Sequence, residues 1–337
     1  AAYYALNDTI AAIATPVGTG GIGIVRLSGP EALSILRALW SRAGNLAPRA
    51  LCYGHIVDPA GGEIVDEVLA AYMPAPQTYT RQDVVEINCH GGPSPLRRVL
   101  DLCLAHGARL AGPGEFTLRA FLNGRIDLAQ AEAVADMVEA KTDAGLRLAV
   151  AQLEGRLSHC IRDVRARLLD ALAWVEANVD FDEDEIPPYA IDDELDAARG
   201  ALQALIDGAE QGIVYRQGIR AAIVGQPNVG KSSLLNALLR AERAIVTPIP
   251  GTTRDTLEET LNLRGIPLVL VDTAGIRSDT RDLAEDLGVE RSRAALAQAD
   301  LALLVIDGSA PLTAEDRRIA ELIGDKPAIV VVNKVDL

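Results

Sequence analysis

Apolar and polar positions alternate along this chain in three textures. In the first, short apolar runs bounded by Gly, Pro or Asp predict strands over residues 9–14, 22–27, 51–57, 67–72 and 84–89. Helices are predicted over 31–40 and 95–105, the second after the break His90-Gly91-Gly92-Pro93. This mixture predicts an α+β domain over residues 1–125. From Leu128 the period lengthens. Val134, Met137 and Val138, then Leu168, Leu169, Leu172 and Val175, recur three and four apart with almost no Pro. One or two long helices are predicted over 128–179, ended by the acidic run 181–185 and Pro187-Pro188. Helix resumes over 191–210, which gives a helical region over 126–215. In the third texture, the run at 219–224 reads as a buried strand, 268–271 and 328–332 are further apolar runs and 233–239 reads as a helix, an α/β domain over 216–337.

Each run of the third region ends in residues with chemical meaning. The first ends at Gly225-Gln226-Pro227-Asn228-Val229-Gly230-Lys231-Ser232, where strand, glycine loop and helix follow one another. Glycines let backbone N–H groups turn toward phosphates, and a helix N-terminus adds partial positive charge. Lys231 is placed to neutralise β- and γ-phosphates and Ser232 to ligate Mg²⁺. The second run ends at Asp272-Thr273-Ala274-Gly275, a carboxylate for the Mg²⁺ hydration shell and a glycine in reach of the γ-phosphate. The third ends at Asn333-Lys334-Val335-Asp336. Asp336 can accept from the N1–H and the exocyclic amine of guanine, a donor pair that adenine lacks, so the motif favours GTP. Thr252 and Thr253 lie in a polar loop suited to a switch. The order and spacing of the four motifs predict a GTPase.

Charge and composition narrow the reading. The net charge of −15 excludes a chain-wide nucleic-acid surface, and Arg162, Arg165 and Arg167 read as a solvated helix face. The four cysteines have no C-x-x-C pair and suit reduced thiols, and Cys89, His90, Cys103 and His106 are too irregularly spaced for a zinc site. No signal peptide and no membrane span are expected, and a cytoplasmic location is. Arg26 and Glu86 each stand inside an apolar strand. From the residues alone they either alternate out to solvent or serve a pocket, with solvent the simpler reading.

Longer strings carry a resemblance. Asp8-Thr9-Ile10-Ala11, Gly23-Ile24-Val25-Arg26-Leu27-Ser28-Gly29, Asp83-Val84-Val85-Glu86, His90-Gly91-Gly92-Pro93, Pro113-Gly114-Glu115-Phe116, Asp127-Leu128-Ala129-Gln130-Ala131-Glu132 and Gly251-Thr252-Thr253-Arg254-Asp255 resemble the MnmE (TrmE) family of tRNA-modification GTPases over the whole sequence. The resemblance implies a multidomain fold: an α+β N-terminal folate-binding domain that mediates homodimerisation, an α-helical middle domain, and an α/β P-loop G domain, Ras-like and incomplete at its C-terminus. It implies GTP/GDP, Mg²⁺, K⁺ and 5-formyltetrahydrofolate or a related tetrahydrofolate as cofactors. It implies tRNA and the flavoprotein MnmG (GidA) as partners, the latter in a heterotetramer that builds an aminomethyl-type group on C5 of the wobble uridine. The family's folate contacts fall on Arg26, Glu86 and Arg125, which moves the first two from solvent to a pocket. Some relatives have lysine in place of Arg125.

The expected GTP set is Asn228, Val229, Gly230, Lys231, Ser232, Ser233, Thr247, Thr252, Thr253, Asp272, Thr273, Ala274, Gly275, Asn333, Lys334 and Asp336. Mg²⁺ falls on Ser232 and Thr253, and K⁺ on Asn228 with backbone carbonyls of Thr247, Ile249 and Thr252. The residue after Gly275 is Ile276, not the Gln that orients water in many GTPases. Arg277, Asp279, Asp282 and Glu285 follow, and the resemblance points to Glu285 for that role. Family chains continue past the guanine motif into a last strand and C-terminal helices ending Cys-x-Gly-Lys, so a sequence stopping at Leu337 reads as a piece of a longer protein. A ribosome-assembly GTPase is the alternative. It shares the phosphate loop and the Ile after Asp-Thr-Ala-Gly, but it needs a basic RNA-binding module that the acidic flanks here lack. A folate-dependent one-carbon enzyme with a regulatory domain is a third reading.

Overall fold

A computed structural model describes residues 7–16, 18–41, 46–180, 187, 189–242, 259–271 and 293–337. The chain forms two compact units that meet in sequence between Ala131 and Glu132.

The first unit is a six-stranded sheet with helices. Its elements are β1 (Ile10–Ile13), β2 (Ile22–Ser28), α1 (Ala32–Leu39), β3 (Leu51–Asp58), β4 (Glu63–Met73), β5 (Val84–His90), α2 (Pro93–Ala105), β6 (Arg109–Leu110) and α3 (Glu115–Leu122). The strand order is β3-β4-β5-β2-β1-β6, antiparallel except for β1 with β6. Strand alternation sends Val25, Leu27, Val85, Ile87, Val68 and Ala70 to one face. There they form the core with Ile35, Leu36 and Leu39 of α1 and Val99 and Cys103 of α2. Arg26 and Glu86 alternate onto the other face. Cys89 and Cys103 lie in the core, where burial pushes both thiols up to about 12. Among the described residues no cluster of three or more His, Cys, Asp or Glu is placed to hold a metal.

Strand β4 starts four residues before the predicted strand: Glu63, Ile64 and Asp66 pair with β3, and Val65, at an irregularity in the register, packs against the core. β6 is only two residues long, and the apolar residues of α3 do not mark its buried face, which is Glu115, Arg119 and Ala120 while Leu122 is exposed. Arg119 and Glu115 are fully buried and bonded at 3.0 Å. Arg119 also donates to the Asp8 carbonyl (2.8 Å) and Gln82 Oε1 (3.1 Å), and pairs with the Asp8 carboxylate. Arg109 bridges Asp8 and Glu115 at 2.6 Å each, and Glu115 accepts from the Gly112 N–H at 2.8 Å. Burial alone would raise the Glu115 carboxyl, but the bonds from Arg109, Gly112 and Arg119 bring it below its ordinary range. Asp8 is lowered in the same way, against its burial, by Arg109 and Arg119.

The predicted long helical stretch is three helices: α4 (Leu128–Glu139), α5 (Asp143–Leu153) and α6 (Arg156–Asp180). Thr142 makes the first break by capping α5, its hydroxyl accepting from Gly145 N at 3.1 Å. Gly155, left-handed at φ +86°, makes the second. α7 (Ile191–Gln217) runs seven residues past its predicted end and stops at Gly218, also left-handed at φ +79°. No helix among the described residues is long and apolar enough to cross a membrane.

The rest of the second unit is β7 (Ile219–Val224), α8 (Lys231–Glu242), β8 (Glu259–Leu263), β9 (Ile266–Val271), β10 (Leu301–Asp307), α9 (Ala314–Ile323) and β11 (Ala328–Asn333). The sheet order is β11-β10-β7-β9-β8, parallel except for β8 against β9. Both faces of the central strands β7, β9 and β10 are covered, whereas β11 at the sheet edge leaves Ile329, Val330 and Val332 about half exposed. Ala221, Ile223, Leu270 and Val305 pack with Leu235 of α8 on one side. Ala222, Val224, Val271 and Leu304 pack with Leu296 and with Ile319 of α9 on the other.

Candidate functional site

The loop between β7 and α8 is held in a shape only certain residues adopt. Gly225 (φ +151°), Asn228 (φ +64°) and Gly230 (φ +100°) all take left-handed backbone. A Cβ at Gly225 would overlap the Val305 carbonyl of β10, and one at Gly230 would overlap the Asn333 side-chain amide. Asn228 tolerates its conformation as asparagine commonly does. Lys231 opens α8, and its ammonium donates to the carbonyls of Gly225 (2.8 Å) and Gln226 (2.6 Å), so the cation lies across the loop that would wrap phosphates. Ser232 and Ser233 follow in the same first turn.

The guanine motif is braced against this loop. Asn333 Nδ2 donates to the Val229 carbonyl at 2.7 Å, which makes Asn333 a tie between the two loops. Lys334, at φ +58°, pairs with Asp307 at 2.7 Å across the ends of β11 and β10. The hydrogen bonds from Lys334 and Ser309 bring the Asp307 carboxyl down to about 2. Asp336 follows in an exposed turn. Asp307 was not among the sequence candidates, although it closes an apolar run as Asp272 does. Thr247, Ile249, Thr252, Thr253, Asp272, Thr273, Ala274, Gly275 and Glu285 lie outside the described residues, as does Ile276.

In the first unit, Arg26 and Glu86 are opposite one another in the β2–β5 register, and Arg26 Nε donates to Glu86 Oε1 at 2.8 Å. Their cross-strand neighbours on either side are Ala12 and Ala71, small residues that leave room above the pair. The side chains are 32% and 25% exposed. The Arg26 guanidinium lies 5.8 Å from the centre of the Phe116 ring of α3. Arg125 is not bonded to the pair. It lies over the Tyr79 ring at 4.8 Å, and the Tyr79 hydroxyl meets Thr117, the residue after Phe116, at 2.9 Å. The two aromatic rings were not among the sequence candidates. Phe116 lies in one of the strings that carry the resemblance, but no periodicity marks either ring.

A mostly parallel sheet whose central strands are covered on both faces, a glycine-built loop and a guanine motif tied to it define a P-loop GTPase. Three relatives, each called tRNA modification GTPase MnmE, are similar to it over 98% of this chain: one from Roseiflexus castenholzii at 59% identity, one from Chloroflexus aurantiacus at 56% and one from Geobacillus kaustophilus at 53%. The chain belongs to the MnmE family of tRNA modification GTPases. It spans 71%, 73% and 73% of those relatives' lengths. The family model for the GTP-binding protein TrmE N-terminus matches residues 9–125, and that for 50S ribosome-binding GTPase matches residues 220–334. The ribosome-assembly alternative is not favoured, since relatives matched over nearly the whole chain carry the tRNA-modification name.

Proposed function

We propose that this chain is a K⁺-stimulated GTPase that works with the flavoprotein MnmG, in a heterotetramer, to modify C5 of the wobble uridine of tRNA, using a tetrahydrofolate one-carbon donor. We assign residues 1–125 to folate binding and dimerisation, 126–215 to a helical domain and 216–337 to the G domain, in a cytoplasmic protein. The observation that carries the folate part is the Arg26–Glu86 pair, half-open between two alanines beneath an aromatic ring. A charged pair there is costly unless its remaining donors and acceptors are used. Glu86 accepts from the pterin N–H and amino groups, Arg26 and Arg125 meet carboxylate or carbonyl oxygens, and Phe116 and Tyr79 offer ring faces. The folate, when bound, supplies the one-carbon unit.

Homodimerisation through the same sheet face is supported by its apolar residues. Leu51, Tyr53 and Leu69 are exposed on β3 and β4, Tyr53 is directly opposite Leu69, and Leu51 shares the row of Ala71 and Glu86. In the G domain, Lys231 neutralises the phosphates, and Ser232 and Thr253 hold Mg²⁺. Asn228 with the carbonyls of Thr247, Ile249 and Thr252 holds K⁺, a cation placed to stabilise developing charge. Glu285 orients the attacking water. Mass spectrometry of tRNA nucleosides from a deletion strain tests the reading. Loss of the C5-modified uridine is expected, and an unchanged profile with accumulated ribosome precursors would overturn it. Hydrolysis that is equally fast in K⁺ and Na⁺ would remove the cation assignment alone.

A further inference from the structure

We propose that a cleft in the second unit, between α5, the end of α7 and the β8–β9 turn, binds phosphate groups of an RNA backbone. The cleft is open to solvent with a volume of about 650 Å³, the size of a small-ligand site, and its polar lining is Arg147, Arg156, Arg264, Tyr215, Asn262 and Asp143. Its walls are tied together. Thr142, the cap of α5, donates its hydroxyl to the Gly265 carbonyl of the turn at 2.8 Å. Gly265 lies so close to α5 that a Cβ there would come within 3.1 Å of the Ala144 side chain.

Three arginines therefore converge on one preformed space. Among the described residues, none of the three makes an ion pair or a side-chain hydrogen bond. Some arginines of this unit do, Arg167 with Glu194, Arg199 with Asp196 and Arg216 with Asp136, while Arg165, Arg317 and Arg318 are likewise unpaired among the described residues but do not line the cleft. The chain carries 47 acidic against 32 basic residues, so arginines left without acidic partners run against its overall balance. Gathering like charges costs Coulomb energy that an anion offsets. Guanidinium groups are planar forks that meet phosphate oxygens bidentately. The half-buried Tyr215 supplies a ring face on which a base can stack. This choice of RNA over other anions rests on the reading that the chain acts on tRNA.

The test compares three proteins of full given length: wild type, R147A/R156A/R264A, and a control that removes the same charge from other exposed positions, R165A/R317A/R318A. Binding of a tRNA transcript is measured across salt concentrations. Neutralised phosphates set the salt slope at about 0.9 per contact, so the cleft variant is expected to lose about two to three units of slope and at least about tenfold in affinity near 100 mM salt. Its affinity for GDP should match wild type, showing that it is folded, and the control should retain RNA binding. Equal slopes for wild type and cleft variant, or an equal loss in the control, would overturn the proposal. So would displacement of the RNA by polyglutamate as readily as by polyuridylate at equal charge, since the cleft would then select acidic protein. Absence of RNA binding by the wild-type chain would overturn the tRNA reading as well, which separates the two failures.

Discussion

The two sheets of this protein carry their candidate chemistry in different places. In the six-stranded sheet it lies in mid-strand, where Arg26 and Glu86 face one another across β2 and β5. In the five-stranded sheet it lies in the loops beyond the carboxyl ends of β7, β10 and β11. The difference follows from what covers each sheet. α1 and α2 pack against one face of the first, so alternate side chains on the other face are free to be polar. The central strands β7, β9 and β10 of the second are buried on both faces, and there the polar groups gather at the strand ends. A covered sheet uses backbone N–H groups and helix ends, and a half-covered sheet uses side chains.

The largest expected effect breaks one site and leaves the other intact. Lys231→Ala removes the cation that spans the phosphate loop. Charge-assisted contacts to two phosphates are each worth about 1.5–3 kcal/mol, so GTP affinity should fall about 100-fold or more. Folate affinity, measured by calorimetry on the same variant, should not change. A parallel fall in both would show that the two sites are not independent.

A second prediction concerns the ion-pair network of the first unit. Arg119→Met leaves Glu115 buried without one of its cationic partners, a change expected to cost about 3–5 kcal/mol. The chain has two tryptophans, Trp40 in the first unit and Trp174 in the second, so denaturation followed by fluorescence in a Trp174→Phe background reports on the first unit. The network also sets an acid dependence. Asp8 and Glu115 titrate lower in the folded chain than in the unfolded one. The stability they contribute is complete above the ordinary carboxylate range, about pH 4–4.5, and is lost as pH falls through their lowered values. The first unit should therefore weaken in acid, and Arg119→Met should flatten that dependence.

The same contrast explains what was legible in the sequence. The phosphate loop is eight consecutive residues whose function depends on local backbone geometry, so Gly225, Gly230 and Lys231 announce it. The pairing of Arg26 with Glu86 joins strands sixty residues apart, and no local pattern encodes the register. From the residues alone both read as solvent-facing, and only resemblance moved them to a pocket. α3 is apolar in composition, but Glu115 and Arg119 hold its buried face and Leu122 is exposed, so hydrophobic periodicity does not mark it. The breaks at Thr142 and Gly155 were missed because a cap and a single left-handed glycine interrupt the helical period too briefly to disturb it.

Glu86→Ala sharpens the comparison from the other side. It removes the acceptor expected to meet the pterin and leaves Arg26 without its partner. Loss of a charged hydrogen-bond partner of this kind costs about 1.5–3 kcal/mol, so folate affinity should drop about 10- to 150-fold with GTP affinity unchanged. Undiminished folate binding would return Glu86 to the solvent reading.

The smallest effect is expected at Lys334. Its ammonium pairs with Asp307 across the ends of β11 and β10, next to the turn that carries Asp336. The pair is partly open to solvent, and ion pairs exposed in this way contribute little. Lys334→Ala should therefore weaken GTP binding only about two- to fivefold, by loosening the guanine turn rather than by removing a contact to the base. Asp307 titrates near 2, so the tie is complete through neutral and mildly acid pH and is lost only as pH falls through that value. GTP affinity of wild type and variant should then differ by the same factor at pH 5 and pH 8. A difference that shrinks toward pH 5 would mean that another group holds the turn. A difference as large as that of Lys231→Ala would mean that Lys334 touches the nucleotide itself.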